Sequence, residues 1–318
     1  MKTKNLVLND LLKRWVREGL YTRKPATNEK YQRLIVNHIK DSIGKISLSA
    51  LSGNDINRFL FDMSVSGSAN HTPLSPSYVR TIAFIIKSAL KYGVNMHLCR
   101  PIHFSVKQPP KLKSVVEILS VDESVILTDF LLSDIDDKKL GTLLSLHLGL
   151  RIGEVCGLKW SDFDFDKKTV HIQRSISRLA TNDADRKSVL SVTKVKSNCS
   201  DRIIPLPDYL INILSDFSAN NYEYIVKGSK YPYCDPRTLR NALDSYFRTS
   251  NIPRVKFHSL RHTFATRCIE YGMDVKTLSE LLGHSNISIT LDLYVHSTID
   301  HKRQQIENVS ILYQKLSD

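Results

Sequence analysis

No stretch of this 318-residue chain approaches the roughly 20 apolar residues that a membrane-spanning helix needs. Its N-terminus, Met-Lys-Thr-Lys-Asn, likewise lacks the apolar core of a signal peptide, so a cytoplasmic protein is expected. The five cysteines (Cys99, Cys156, Cys199, Cys234 and Cys268) are scattered, with no C-x-x-C pair and no histidines at zinc spacing. Reduced thiols are the reading, with neither a disulfide framework nor a structural zinc. Internal repeats and low-complexity tracts are also missing. With 42% hydrophobic and 24% charged residues, the composition excludes a disordered or collagen-like chain. The length suits two domains, each with its own core.

Acidic residues are scarce in one region only. The formal net charge is +13, yet residues 1–107 hold 17 Lys and Arg against 6 Asp and Glu, while the remainder has 28 against 26. A basic segment joined to a nearly neutral one suggests a clamp for a polyanion coupled to a more specialised domain.

Residues 1–106 read as about four helices. Leu8, Leu11, Leu12 and Trp15 recur at helical spacing, as do Tyr31, Leu34, Ile35 and Ile39. Ser49 precedes the segment with Ile56, Phe59 and Leu60, and Ser75-Pro76 opens one with Val79, Ile82, Ile85, Ile86 and Leu90. Lys13, Arg14, Arg17, Lys30, Arg33, Lys40, Arg80, Lys87 and Lys91 fall on the polar faces. Residues 107–119, with a Pro-Pro pair among lysines, read as a linker. From 120 onward, Ser120-Val-Asp-Glu123 forms a capping box, and the apolar helix from Lys139 to Leu148 stops at Gly149. Val170–Ile172, Val189–Thr193 and Arg202–Leu206 predict three strands of a small antiparallel sheet. Helix starts follow near Ser215, Asp235-Pro236, Ser259, Asp274 and Ser288.

The C-terminal third gathers basic groups before one tyrosine. His258, Arg261, His262 and Ala265 share one helix face. An arginine in their midst would repel a metal ion, so the stripe points to an anion. Gly283 ends the helix from Asp274 and leaves His284 at the turn, ten residues before Tyr294. A tyrosine hydroxyl, with a pKa of about 10, is a poor nucleophile until fixed donors neutralise the phosphate it attacks.

Taken with Gly149-Leu-Arg151-Ile-Gly-Glu154 and Thr193-Lys194, this constellation resembles the tyrosine recombinase (phage integrase) family, and most closely the integrases of phages and conjugative transposons. The family's pattern is an arginine, a hairpin lysine, H-x-x-R, a His or Trp, and the tyrosine, in that order. The resemblance implies a mainly α fold with a small antiparallel β-sheet: a helical core-binding domain (1–106) and an α+β catalytic domain (120–318) with a C-terminal tail helix. It implies DNA strand breakage and rejoining for integration and excision of a mobile element, without metal, ATP or another cofactor. Tyr294 is then the nucleophile and forms a 3′-phosphotyrosyl link. Arg151 and Arg261 hold the nonbridging oxygens, Lys194 protonates the leaving 5′-oxygen, and His258 assists proton transfer. His284 donates to the phosphate, while Glu154 and His262 support the site. Lys196 shares a strand face with Lys194; the family's Thr-Lys position favours Lys194. The implied partners are double-stranded DNA attachment sites, DNA-bending accessory proteins and a homotetramer on DNA joined through the tail at Ile306, Val309, Ile311, Leu312 and Leu316. A nucleoid-associated location follows. Two other readings stay open: a noncatalytic helix-turn-helix regulator, which would not need Arg151, Lys194 and His258, and a type IB topoisomerase, distinguished by relaxation without strand exchange.

Overall fold

Leu8, Leu11, Leu12 and Trp15 are all buried on one side of α1 (Leu8–Thr22), as their three- and four-residue spacing predicts. In this computed structural model the chain divides into two compact units, Met1–Ser114 and Val115–Asp318. The described residues are 6–23, 25–67, 72–105, 117–180, 188–195, 198–218, 222–284, 286–287, 290, 303, 306–307 and 309–310. Most of the expected linker and the expected helix start at Ser288 lie outside them.

The described residues of the first unit are mainly helical, with an isolated antiparallel bridge between Val7 and Ser47. After α1 come α2 (Pro25–Leu34), which runs into a π-helical turn over Ile35–Ile39, then α3 (Gly53–Val65) and α4 (Pro76–Asn95). Ser75 caps α4 by accepting from Tyr78 N at 3.4 Å, and Pro76 takes the first helical position, where its missing N–H costs nothing. Ser52, rather than the neighbourhood of Ser49, starts α3; it accepts from Asp55 N and Asp55 returns the bond. Val79, Ile82, Ile85, Ile86 and Leu90 of α4 fill the core against α1 and α3. Trp15 and Tyr31 stack at 5.7 Å, and the Arg23 guanidinium lies 3.5 Å over the Trp15 ring. All nine cations assigned to polar faces are exposed.

The second unit packs helices around two small sheets. The capping box at Ser120 and Glu123 opens α5 (Val121–Leu132). Then α6 (Asp137–Leu148) runs through the middle of the core, burying Leu140, Leu143, Leu144, Leu146 and Leu148 against α5, α10 and α9. Gly149 ends it in the left-handed region, at φ 66°. The short α7 (Ile152–Gly157) follows at once, with Arg151 at its N-cap.

The three expected strands exist, but in two sheets. β1 (Phe163–Asp164), β2 (Thr169–Ile172) and β5 (Arg202–Pro205) form one antiparallel sheet in the order β1-β2-β5. β3 (Arg174–Ala180) pairs with β4 (Ser188–Lys194) as a separate hairpin, in a register that sets Arg174 opposite Lys194. β3 was not anticipated, because its polar residues mask the alternation.

Among the described residues the unit continues with α8 (Asp208–Ser218), α9 (Pro236–Thr249), α10 (Phe257–Glu270) and α11 (Val275–Leu282). The start expected near Ser215 is wrong. Leu210 and Leu214 are buried one turn apart inside α8, and the Ser215 hydroxyl bonds back to the Ile211 carbonyl instead of capping. Asp274 does cap α11, and Gly283 ends it at φ 66°. No helix of the described residues is long and apolar enough to cross a membrane.

Gly149 offers a direct test of this packing. A Cβ there would lie 2.5 Å from the Phe264 ring, on a backbone that L-residues avoid. Gly149→Ala is expected to destabilise the protein by on the order of 2–4 kcal/mol in urea denaturation, combining left-handed strain with overpacking. A change below about 0.5 kcal/mol, the level of a neutral surface substitution, would contradict the close approach.

Candidate active site

The last carbonyls of a helix have no partner within it and carry the negative end of its dipole. At the C-terminus of α11, three such carbonyls in a row each receive an arginine. Arg202 Nε donates to Leu281 O at 2.5 Å, Arg261 Nη2 to Leu282 O at 2.5 Å, and Arg151 Nη2 to Gly283 O at 3.3 Å. Arg261 also donates through Nη1 to Gly149 O at 2.9 Å, which ties α10 to the turn between α6 and α7. Only 1% of Arg261 is exposed, whereas 35% of the Arg151 side chain is. A guanidinium carries five N–H donors in a fixed plane, so Arg151 keeps donors beyond those spent on carbonyl and carboxylate.

Glu154 locks two of these arginines together. Its carboxylate lies 2.7 Å from Arg151 Nη1 and 3.0 Å from Arg202 Nη2, with a further bond from Arg202 Nη1 at 3.2 Å. It also accepts from Arg151 N at 3.0 Å, closing the first turn of α7. Burial alone would raise this carboxyl, but the charges and hydrogen bonds of Arg202 and Arg151 outweigh it and hold its pKa below the ordinary value. Stripping one partner from such a buried pair costs about 3–5 kcal/mol. By sequence alone Arg202 stands out only as part of a strand. The signal lay in the alternation Arg202-Ile-Ile204, which puts the arginine on the same inward side as buried Ile204.

The histidines surround this cluster. α10 begins at Phe257, so His258 and His262 sit one turn apart on it, their rings edge-on at 4.5 Å. Burial, then the charges of Arg261 and Arg151, push the His258 pKa down against the pull of Glu154. His262 is lowered to about 4 by burial and by the neighbouring His258 and Arg261. His284 follows Gly283 directly; burial and then Arg261, Arg151, His258 and Arg202 bring it to about 4. Its Nδ1 lies 2.8 Å from the hydroxyl of Thr290, a buried residue that the sequence reading had not marked. Burial and positive neighbours thus favour the neutral form of all three rings at pH 7.

Arg151, Glu154, His258, Arg261, His262 and His284 therefore meet, from segments up to 133 residues apart. Lys194 stands at the end of β4, exposed, and among the described residues no hydrogen bond or ion pair ties its ammonium to the arginines. Tyr294 lies outside the described residues.

The family model of the phage integrase family matches residues 117–301, more than half of the chain and all of this cluster. The chain belongs to the phage integrase family. It is a tyrosine recombinase in the sense of its relatives. A XerC-like tyrosine recombinase of Caldanaerobacter subterraneus is 30% identical over 97% of this chain and 84% of its own length. The transposase of transposon Tn916 from Enterococcus faecalis is 26% identical, over 91% of this chain and 73% of its own. Among solved structures, the integrase of transposon Tn1549 in complex with circular intermediate DNA superposes with a TM-score of 0.78, at 19% identity, over 96% of this chain and 99% of that one. A lambda integrase tetramer bound to a Holliday junction gives 0.65 at 18% identity, over 92% of this chain and 78% of that one. At those identities the structural likeness speaks for the fold: mainly helical with small antiparallel sheets.

The lowered histidine pKa values predict an acid-sensitive fold. His262, His284 and also His147, which is half-buried between Tyr209 and Thr128, have folded pKa values of about 4 against 6.5 when unfolded. Between those values the unfolded chain binds more protons, so stability is full above pH 6.5 and falls as pH drops toward 4. Urea midpoints measured from pH 7.5 to 4.5 should decline across that window. A flat profile would show that these rings are not held neutral by the fold.

Proposed function

We propose that this recombinase cleaves and rejoins DNA at specific attachment sites by transesterification, with Tyr294 as nucleophile, to integrate and excise a mobile element. The observation that carries the reading is the convergence of Arg151, Arg261 and His284 at one helix terminus: cations and a neutral donor gathered there suit the nonbridging oxygens of a phosphodiester.

The Tyr294 hydroxyl oxygen attacks phosphorus and the P–O5′ bond breaks. The bonding pair leaves with O5′, which takes a proton from the Lys194 ammonium, and the phenol proton passes to the neutral ring of His258. One phosphodiester bond is exchanged for another, so the 5′-hydroxyl of a partner strand can reverse the step without ATP. Arg151 and Arg261 brace the two nonbridging oxygens. In this reading His284 carries its proton on Nε2 and offers it to the phosphate, while its Nδ1, 2.8 Å from the Thr290 hydroxyl, accepts from that group. Glu154 and Arg202 hold Arg151 in place, and His262 supports His258. The basic face of the first unit supplies the sequence-independent grip on DNA, as a core-binding domain (1–106) joined through a linker (107–119) to the catalytic domain (120–318).

The reading extends to assembly. Ile306 and Val309, three residues apart on the tail, are both exposed and leave an apolar ridge for a neighbouring protomer of a homotetramer on DNA, with DNA-bending proteins helping to shape the complex. Such a protein would reside with the nucleoid.

Incubation with a nicked half-site duplex in EDTA should give a covalent protein–DNA adduct on a denaturing gel. The adduct should vanish in Tyr294→Phe and form on the order of 10²-fold more slowly in Arg151→Lys. An adduct that survives Tyr294→Phe would sink the mechanism. Deleting residues from 306 onward should abolish the tetramer on DNA in sedimentation, leaving half-site cleavage in place; an undiminished tetramer would refute the tail's part.

A further inference from the structure

The end of β4 that carries Lys194 is fastened to the start of β3 at three consecutive points. Thr193 Oγ1 donates to Ser175 O at 3.2 Å, Lys194 pairs with Arg174 across the ladder, and Val195 N donates to Gln173 O at 3.2 Å. The side chains of Gln173 and Arg174 then both end on a single carboxylate. Gln173 Nε2 donates to Asp162 Oδ1 at 2.9 Å and Arg174 Nη1 to Asp162 Oδ2 at 2.5 Å, with Lys159 N adding a third bond to Oδ2 at 2.8 Å. Only 1% of the Asp162 side chain is exposed.

The same strand is seated on the helix that follows Arg151. A Cβ on Gly153 would lie 2.5 Å from Ser175 Oγ and 2.6 Å from Ile176 O, and one on Gly157 would lie 3.2 Å from Arg174 Cγ and from Arg174 O. Two glycines one turn apart on α7 therefore let β3 approach the helix backbone, and the Asp162–Arg174 pair stops the strand from sliding along it. Farther out, Arg178 of β3 pairs with Asp235 and donates through Nη1 to Ser188 Oγ at 2.8 Å. A buried ion pair is weak evidence for stability, and fixing a register is its best-attested use.

We infer that Asp162 is a positioning residue for the leaving-group lysine: through Arg174 and Gln173 it sets where the Lys194 segment stands relative to α7 and Arg151. This rests on the assignment of Lys194 as the group that protonates O5′. A proton donor misplaced by about 1 Å forfeits on the order of 10²-fold in rate, so a buried carboxylate with no part in the chemistry can still govern it.

Replacing the bridging O5′ of the scissile phosphate by sulfur separates the two roles. The P–S bond then breaks to a thiolate whose conjugate acid has a pKa near 8.5, and it leaves without a donated proton. The full-length chain is assayed for adduct formation on a half-site duplex, first identified by covalent capture from a randomised pool and then synthesised with oxygen or sulfur at that position. Asp162→Asn should lose about 10² to 10⁴-fold on the oxygen substrate and recover to within about tenfold of wild type on sulfur, the signature of a displaced general acid. Arg174→Gln should behave alike, and Arg174→Lys should restore much of the oxygen rate; these two carry the test if Asp162→Asn does not fold. Equal losses on both substrates would make the network merely structural and overturn the inference. Lys194→Ala, measured alongside, reads the lysine assignment separately. If that variant is not rescued by sulfur while Asp162→Asn is, the segment is positioned as inferred and its donor is another lysine, with Lys196→Ala as the next variant.

Discussion

The candidate site is organised by the C-terminus of one short helix. Three guanidinium groups, brought from α7, β5 and α10, are drawn to the Leu281, Leu282 and Gly283 carbonyls because those oxygens lack helical partners and concentrate partial negative charge. A carbonyl orients a cation without cancelling its charge. The formal charge of the cluster therefore stays positive, with Glu154 as the carboxylate that binds Arg151 and Arg202. Those two properties, fixed geometry and residual positive charge, are what a pentacoordinate phosphate demands of its surroundings.

The same field determines the state of the histidines. Burial and surrounding arginines keep His258, His262 and His284 below their ordinary pKa, so the site offers neutral rings that can accept or share a proton rather than further fixed cations. Arginine suits the charged positions because no plausible environment deprotonates it. The cluster thus divides its work by chemistry: permanent charge from guanidinium groups, proton traffic from imidazoles. Glu154 is the hinge of that division, since it holds Arg151 and Arg202 while opposing the downward shift of His258.

Much of this was legible in the chain before any coordinates. Local signals with a single physical cause read true: the Ser120 and Glu123 capping box, Asp274 at the start of α11, and Gly149 and Gly283 in left-handed conformations at helix ends. The family motifs flank the ends at Gly149 and Gly283, and the structure brings Arg151 against the Gly283 carbonyl. What failed was non-local. Ser215 looked like a helix start because serine often caps, yet the burial of Leu210 and Leu214 put it inside α8. β3 escaped notice because its polar residues bond to other elements, as Arg174 does to Asp162 and Arg178 to Asp235. Arg202 and Asp162 went unmarked for the same reason: a buried charge is visible in a sequence only once its partner is known.

The arginine clamp has a further consequence for how the surface of this domain can vary. Its acceptors are main-chain oxygens, and those persist whatever side chain a codon specifies, provided the helix still ends in its left-handed glycine. Lys276 and Glu280 are exposed on α11, and exchanging their side chains leaves those acceptor oxygens in the main chain. A helix held in this way can change the face it shows to solvent while its hidden end goes on presenting the same three oxygens.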